Sequence, residues 1–478
     1  MINSLGGIPP LLATADAENA PIVLTGVLLT LVVIYIASKV GGELSRMLDF
    51  PPVLGELLAG VIVGISALHL VVFPESGAIA SDSAMMSFLQ WLNNLSPETV
   101  TSIYESQSEV VSVLAELGVI ILLFEIGLES DVRELQKVGY QAVVVACVGV
   151  VVPFVAGTAG LMYFFGVAAI PAIFAGAALT ATSIGITSKV LSEIGQLKST
   201  EGQIIVGAAV IDDILGIIVL AVVASLAKTG EVDIFNVIYL IVSATVFLIG
   251  SILLGKFFNS SFVGIAEKLE TRGNLIIPAM VFAFFMAFIG SAIHLEAILG
   301  AFAAGLVLDE TDTRNELDEQ VKPIADILVP IFFVTVGAKA DVSVLNPLVP
   351  ENQQGLIIAT FLIVVAIIGK LVTGWAVFGK PGINRPAIGI GMIPRGEVGL
   401  VFVGIGSASG TLDKPLQAAI IIMVILTTFL APPLLRVAFK QQPESTSVVE
   451  QKSLTSWSCG KTEPNLVYAT VSRRSVLL

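Results

Sequence analysis

The chain has 478 residues, 55% of them hydrophobic and only 13% charged, with a formal net charge of −14. Soluble domains carry about 25% charged residues, so this composition leaves too little polar surface to cover its apolar segments in water, and the alternation over about ten residues that marks a membrane β-barrel is absent. The acids gather in loops, which points to no nucleic-acid partner, and two cysteines (Cys147, Cys459) with two histidines (His69, His294) offer neither a disulfide framework nor a structural metal site.

Taken in chain order, apolar runs long enough to cross a bilayer recur near 22–40, 52–68, 109–128, 138–160, 169–190, 203–227, 235–255, 273–292, 294–308, 321–338, 355–378, 386–407 and 415–439. An all-α, multi-pass membrane protein with thirteen spans follows. With the N-terminus outside, fifteen Lys and Arg residues fall in inside loops, against Lys228, Lys339 and Lys414 outside. That imbalance satisfies the positive-inside rule and puts the C-terminus in the cytoplasm. Residues 1–21 form an external segment without the basic start of a cleavable signal. Residues 69–108 hold no Lys or Arg and read as an outside loop, and 440–478 as a flexible cytoplasmic tail.

The sequence repeats weakly. LGELLAG (54–60) in span 2 resembles LGAFAAG (299–305) in span 9, and GLESDVREL (127–135) after span 3 resembles GAKADVSVL (337–345) after span 10. Both matches are offset by seven helices. An odd offset inverts the second copy across the membrane, so the chain reads as two inverted six-helix repeats joined by span 7 (235–255). Such repeats are a transporter signature.

Ionisable residues deep in a membrane are functional candidates, because each costs roughly 2.5–3.5 kcal/mol to insert. Span 6 holds two adjacent acids, Asp212 and Asp213, in GAAVIDDILGIIVL (207–220). Span 11 holds Lys370 in VAIIGKLVTGW (365–375), span 12 holds Arg395 and Glu397, and Glu56 and Glu125 lie in spans 2 and 3. Neighbours on a helix point about 100° apart, so Asp212 and Asp213 face different surroundings. Close carboxylates also resist ionising together, and such a group holds either a proton or a cation. Lys370 is the natural counter-charge for one of them. Two spans look broken. Span 5, AGAALTATSIGITSKVL (175–191), carries Thr180, Thr182 and Ser183, and span 12, AIGIGMIPRGEVGLVF (387–402), carries Pro394, Arg395 and Glu397. Freed carbonyls and hydroxyls at membrane depth line cavities and are hard ligands for a small cation.

GAAVIDDILG, FFVTVGAKAD, the mid-span Lys370 and PRGEVGLVF, in that order, resemble the cation:proton antiporter-2 family, most nearly its NapA-like sodium/proton antiporters. The resemblance covers about residues 22–439. It implies the NapA/NhaA-like antiporter fold with two broken helices that cross, and a homodimer in a bacterial inner membrane or a comparable internal membrane such as the thylakoid. Spans 1–3 and 8–10 (22–128 and 273–338) would form the dimerisation domain, and spans 4–6 and 11–13 (138–227 and 355–439) the ion-transporting core. It further implies electrogenic exchange of Na⁺ or Li⁺ for H⁺ by alternating access, without cofactor or enzymatic activity. Asp213 would be the main ion-binding carboxylate, with Asp212 paired to Lys370. Kef-type potassium efflux members carry a nucleotide-binding domain that the 441–478 tail is too short to form. Potassium/proton exchange remains the alternative reading.

Overall fold

The structure, a computed structural model, describes residues 16–130, 132–229, 233–247, 250–251, 268–309, 313–379, 382–395 and 397–440. The tail expected at 440–478 therefore lies outside the described residues apart from Lys440, as do residues 1–15 and most of the second half of span 7. Every regular element among the described residues is helical: α1 (Asp16–Met47), α2 (Pro52–Val63), α3 (Ala84–Asn93), α4 (Pro97–Glu129), α5 (Val132–Phe165), α6 (Ala169–Ala178), α7 (Ile184–Glu193), α8 (Thr200–Thr229), α9 (Ile234–Phe247), α10 (Ile276–Ala292), α11 (Ala297–Asp309), α12 (Arg314–Ala338), α13 (Pro350–Trp375), α14 (Arg385–Gly391), α15 (Glu397–Ala408) and α16 (Lys414–Lys440), with short 3₁₀ turns between some of them. Seven are long and apolar enough to cross a membrane alone: α1, α4, α5, α8, α12, α13 and α16.

Two groups of helices result. In one, α1 lies on α2, α2 on α12, α12 on α4, α4 on α11 and α11 on α10. In the other, α5 lies on α8, α13 and α6, α13 on α14, and α15 on α6 and α8. Helix α7 touches α8 from the second group and α4 and α2 from the first.

Several crossings in the first group require glycine, two of them as matched pairs. A Cβ on Gly60 would lie 2.9 Å from Gly337 Cα and against the Val334 carbonyl, so α2 and α12 touch backbone to backbone. A Cβ on Gly305 would lie 2.8 Å from Gly127 Cα and against the Phe124 carbonyl, so α11 and α4 do the same. These four glycines are the ones aligned by the internal similarity: Gly60 corresponds to Gly305 and Gly127 to Gly337. Small residues at helix crossings let lipid-embedded helices approach closely, where dispersion rather than water drives association.

Residues 69–108, expected as a loop, form a small folded cap. Met86 and Leu89 of α3 are buried with Val72, Val100, Ile103 and Tyr104. Ser83 caps α3 by accepting from the Met86 N–H at 3.2 Å, and Ser96 caps α4 by accepting from Thr99 N–H at 3.2 Å, with Pro97 at its first position. Helix α4 thus starts twelve residues before the apolar run, and its 33 residues span about 50 Å, more than the roughly 30 Å hydrocarbon core. Helix α1 likewise begins at Asp16, inside the segment expected to be external.

Substituting Gly60 or Gly305 by leucine is expected to force these helices apart and to lower the melting temperature and folded yield of purified protein, with Gly337→Leu and Gly127→Leu behaving like their partners. Thermal unfolding in detergent checks this, and wild-type melting of all four variants would contradict it.

Candidate functional site

The site starts with two failures of helix continuity. In the stretch 169–193, Thr180, Thr182 and Ser183 offer hydroxyls that compete with the backbone for hydrogen bonds, and α6 ends at Ala178 with α7 resuming at Ile184. In 385–408, Pro394 has no N–H and would collide with the carbonyl one turn earlier, and it pushes Ile393 out of helical geometry. Helix α14 ends at Gly391 and α15 begins at Glu397. The interruptions meet. The Ser183 N–H donates to the Pro394 carbonyl at 2.9 Å, Thr182 Oγ1 to the Met392 carbonyl at 3.2 Å, and Thr187 Oγ1 to the Gly391 carbonyl at 2.9 Å.

Each break exposes carbonyls at the C-terminal end of a half-helix, where the helix dipole leaves partial negative charge. The α6 end is met by cations. Lys370 Nζ donates to the Thr180 carbonyl at 2.8 Å, and Arg395 Nη1 donates to the same carbonyl at 3.1 Å and to that of Ala181. The α14 end is met by the neutral hydroxyls of Thr182 and Thr187. Thr428 of α16 donates to the carbonyl of Arg395. Lys370 and Arg395 are both 0% exposed, so Lys370 does not snorkel to an interface.

Helix α8 runs beside the crossing without interruption. Asp212 and Asp213 are its thirteenth and fourteenth residues of 30, about 18 Å from its start. Lys370 Nζ lies 3.1 Å from Asp212 Oδ2, both side chains fully buried. Asp212 thus has its partner 158 residues away, and Asp213, 4% exposed, is the neighbouring acid outside that pair. Ser183 Oγ is buried and without a hydrogen-bond partner among the described residues. The place therefore combines carboxylate, hydroxyl and carbonyl oxygens, all hard ligands, with fixed positive charge. Thr180 turns its own hydroxyl back to the Ala177 carbonyl at 2.7 Å, so its carbonyl oxygen serves the site and its side chain serves the helix end. Thr180, Thr182, Ser183, Pro394, Arg395, Lys370 and both aspartates are brought together; the Glu397 side chain lies outside the described residues. Glu56, held by Ser38 Oγ at 2.9 Å, and Glu125, beside Glu129 and Asp318, sit elsewhere, in the first helix group.

Sequence reasoning missed Thr187 and Thr428. Thr187 follows Ser183 by one helical turn, which puts it on the same face; Thr428 carries no local signal. It also passed over a cavity of about 480 Å³ between the first helix group and α15–α16, whose lining includes Glu116, Glu296, Thr335, Lys339, Leu400 and Thr428.

A multi-pass helical bundle with a buried Lys–Asp pair and a second carboxylate at the crossing of two broken helices is the architecture of an ion-coupled membrane carrier. The chain belongs to the sodium/hydrogen exchanger family, whose transmembrane profile matches residues 27–441. It is 62% identical over 434 residues to the high-affinity Na⁺/H⁺ antiporter NhaS3 of Synechocystis sp., covering 90% of this chain and 94% of that protein. It is 33% identical over 411 residues to the Na⁺/H⁺-K⁺ antiporter GerN of Bacillus cereus, covering 85% and 94%. Among solved structures, the sodium proton antiporter MjNhaP1 of Methanocaldococcus jannaschii shares the fold, with a TM-score of 0.58 at 16% identity over 87% of this chain and 99% of that one.

Removing one partner of a buried ion pair leaves the other uncompensated, at about 3–5 kcal/mol. Lys370→Ala should therefore lower the melting temperature sharply. Lys370→Ala combined with Asp212→Asn should recover part of the loss, because no lone buried charge remains. A double variant less stable than the single one would show that the pair is not the source of the effect.

Proposed function

We propose that this protein is a secondary antiporter that exchanges Na⁺, or Li⁺, for H⁺ across its membrane. The observation that carries this is the division of the two buried acids: Asp212 is paired with Lys370, and Asp213 stands beside it at the crossing of the broken helices. High identity to a Na⁺/H⁺ antiporter along nearly the whole chain supports the same reading. Asp213 would be the exchanging carboxylate, holding a proton in one state and the cation in another, with Ser183 and nearby oxygens completing the ligand set. Lys370 and Asp212 would couple to it as charge partner and proton carrier, making exchange electrogenic with more protons than cations moved. Arg395 and Glu397 would set the charge of the second break. No cofactor is needed for such exchange and no bond is made or broken in a substrate. The name of GerN gives the alternative, potassium, a specific footing.

In the proposed cycle the second helix group, taken together with α7 and α16, is the moving core, and the first, with α3, is the dimerising scaffold, with α9 as the linker span. Thirteen spans in two inverted repeats, N-terminus outside and C-terminus in the cytoplasm, account for the paired glycine crossings: repeat exchange turns Gly60–Gly337 into Gly305–Gly127. A bacterial inner membrane or a thylakoid-type membrane is the proposed location, with a homodimer as the working unit. The state at hand then reads as outward-open. The cavity lies between the outer end of α12 and the middle of α4, and the opposite side is clasped. There Glu193 Oε2 of α7 accepts from the Val53 N–H at 3.3 Å, capping α2, Ser192 Oγ donates to Glu129 Oε2 at 3.0 Å, and Arg436 of α16 pairs with Asp49. The turn between α1 and α2 is thus held at both ends by helices of the core.

Asp213→Asn is expected to abolish Na⁺-driven proton movement in proteoliposomes while leaving thermal stability near wild type; normal exchange by this variant refutes the assignment. In the wild type, apparent sodium affinity should fall as pH falls, since proton and cation compete for one carboxylate, and Na⁺, Li⁺ and K⁺ offered in turn decide the substrate. Glu193→Ala with Arg436→Ala should release the clasp and shift the protein toward inward-facing states, raising labelling of a cysteine placed on the inner part of α7. Unchanged labelling would argue against the clasp.

A further inference from the structure

The outer cavity contains a carboxylate that the exchange site does not use. Glu116 is exposed, yet it stands inside the apolar run of α4. An ionised carboxylate facing hydrocarbon is costly, so its place in the wall of the 480 Å³ cavity implies that the cavity is wet. Its surroundings follow from register. Helices α4 and α12 run antiparallel, and Lys339 Nζ lies 3.3 Å from Ser112 Oγ. One turn deeper on each helix come Glu116 and Thr335, and both line the cavity. Thr335 is 2% exposed and its hydroxyl has no hydrogen-bond partner among the described residues. The cavity also reaches Thr428, whose hydroxyl donates to the Arg395 carbonyl at the crossing.

Lys339 stands one turn above as a tethered competitor. Its ammonium lies 3.6 Å from Glu75 Oε2 and 4.9 Å from the centroid of the Phe73 ring, both in the outer cap. These contacts hold a positive charge at the mouth and keep it from dropping onto Glu116.

We propose, building on the antiporter reading, that Glu116 and Thr335 form a second site for a partly hydrated monovalent cation, a waiting position in the outer cavity, and that Lys339 sets its affinity. The carboxylate supplies the charge, the threonine hydroxyl a ligand oxygen and cavity water the rest. The site raises cation concentration beside the crossing without taking part in proton exchange. Its signature is one-sided: it acts on cations arriving from the outer face and not on those arriving from the inner one.

The test uses full-length protein in vesicles of defined orientation, with Na⁺ added to one face at a time and proton movement followed. Glu116→Gln should raise the outer-face KM for Na⁺ by roughly three- to tenfold, the scale of one unit charge about 6 Å away in a hydrated cavity. The rate at saturating Na⁺ and the inner-face KM should stay within about twofold on the same scale. Glu116→Asp should restore the outer KM, Thr335→Val should raise it, and Lys339→Gln should lower it. If Glu116→Gln fails to fold, Thr335→Val and Lys339→Gln carry the test. An outer KM unmoved by these substitutions, or moved equally on both faces, overturns the waiting site while wild-type exchange leaves the antiporter reading standing. Wild-type protein that exchanges no cation overturns the reading on which it rests.

Discussion

The arrangement at the centre of this molecule depends on one ammonium group. Lys370 Nζ bonds at once to the Asp212 carboxylate and to the Thr180 carbonyl, joining α13, α8 and the broken end of α6. Any one of these groups would be expensive alone at membrane depth. The acid would be an uncompensated charge, the carbonyl an orphaned acceptor, and the lysine a cation without solvent. Together they offset one another, and Arg395 adds a second cation to the same half-helix end. The break in α6 is therefore a supported structure with its negative pole covered.

Covering one pole with charge and the other with hydroxyls has a consequence for coupling. The two cations are committed to the backbone of α6 and to Asp212. The end of α14 is satisfied by Thr182 and Thr187, which carry no charge that could respond to pH. On the proposed reading Asp213 is the acid at which proton and cation compete, while the Lys370–Asp212 pair carries the additional proton that makes exchange electrogenic. Competition for a single carboxylate is what makes exchange obligatory rather than parallel leakage of two ions.

Much of this was legible in the sequence because the costs that expose it are local. Two acids in an apolar run, a lysine far from either end of its span, and a proline in the middle of another each violate the rule for a membrane helix in a way that composition alone displays. The internal similarity was legible because the same backbone contact, glycine against glycine, is made twice. What was not legible depends on distance. Nothing near Thr428 announces that its hydroxyl closes onto the Arg395 carbonyl 33 residues earlier. Helix α3 was hidden by its shortness and by a burial face built against α1 and α4. Glu116 was passed over although it is the eighth residue of the run 109–128, because nothing local in the sequence shows that it lines a cavity.

The two helix groups are also held together differently. Within the first group, backbones touch at Gly60–Gly337 and Gly127–Gly305, contacts that tolerate no sliding because neither side has a side chain to yield. Between the groups, at the end opposite the cap, the contacts are a backbone cap from Glu193, the Ser192–Glu129 hydrogen bond and the Arg436–Asp49 pair. These contacts are polar, and water can replace each of them when they part; deeper in, apolar side chains of the two groups also meet, as where Gly185 of α7 faces Val119 and Phe332. On the proposed reading, a first group joined by backbone-to-backbone crossings and a seam closed at this end by exchangeable polar contacts suit a rigid-body motion, in which the seam parts where water can substitute for what is lost.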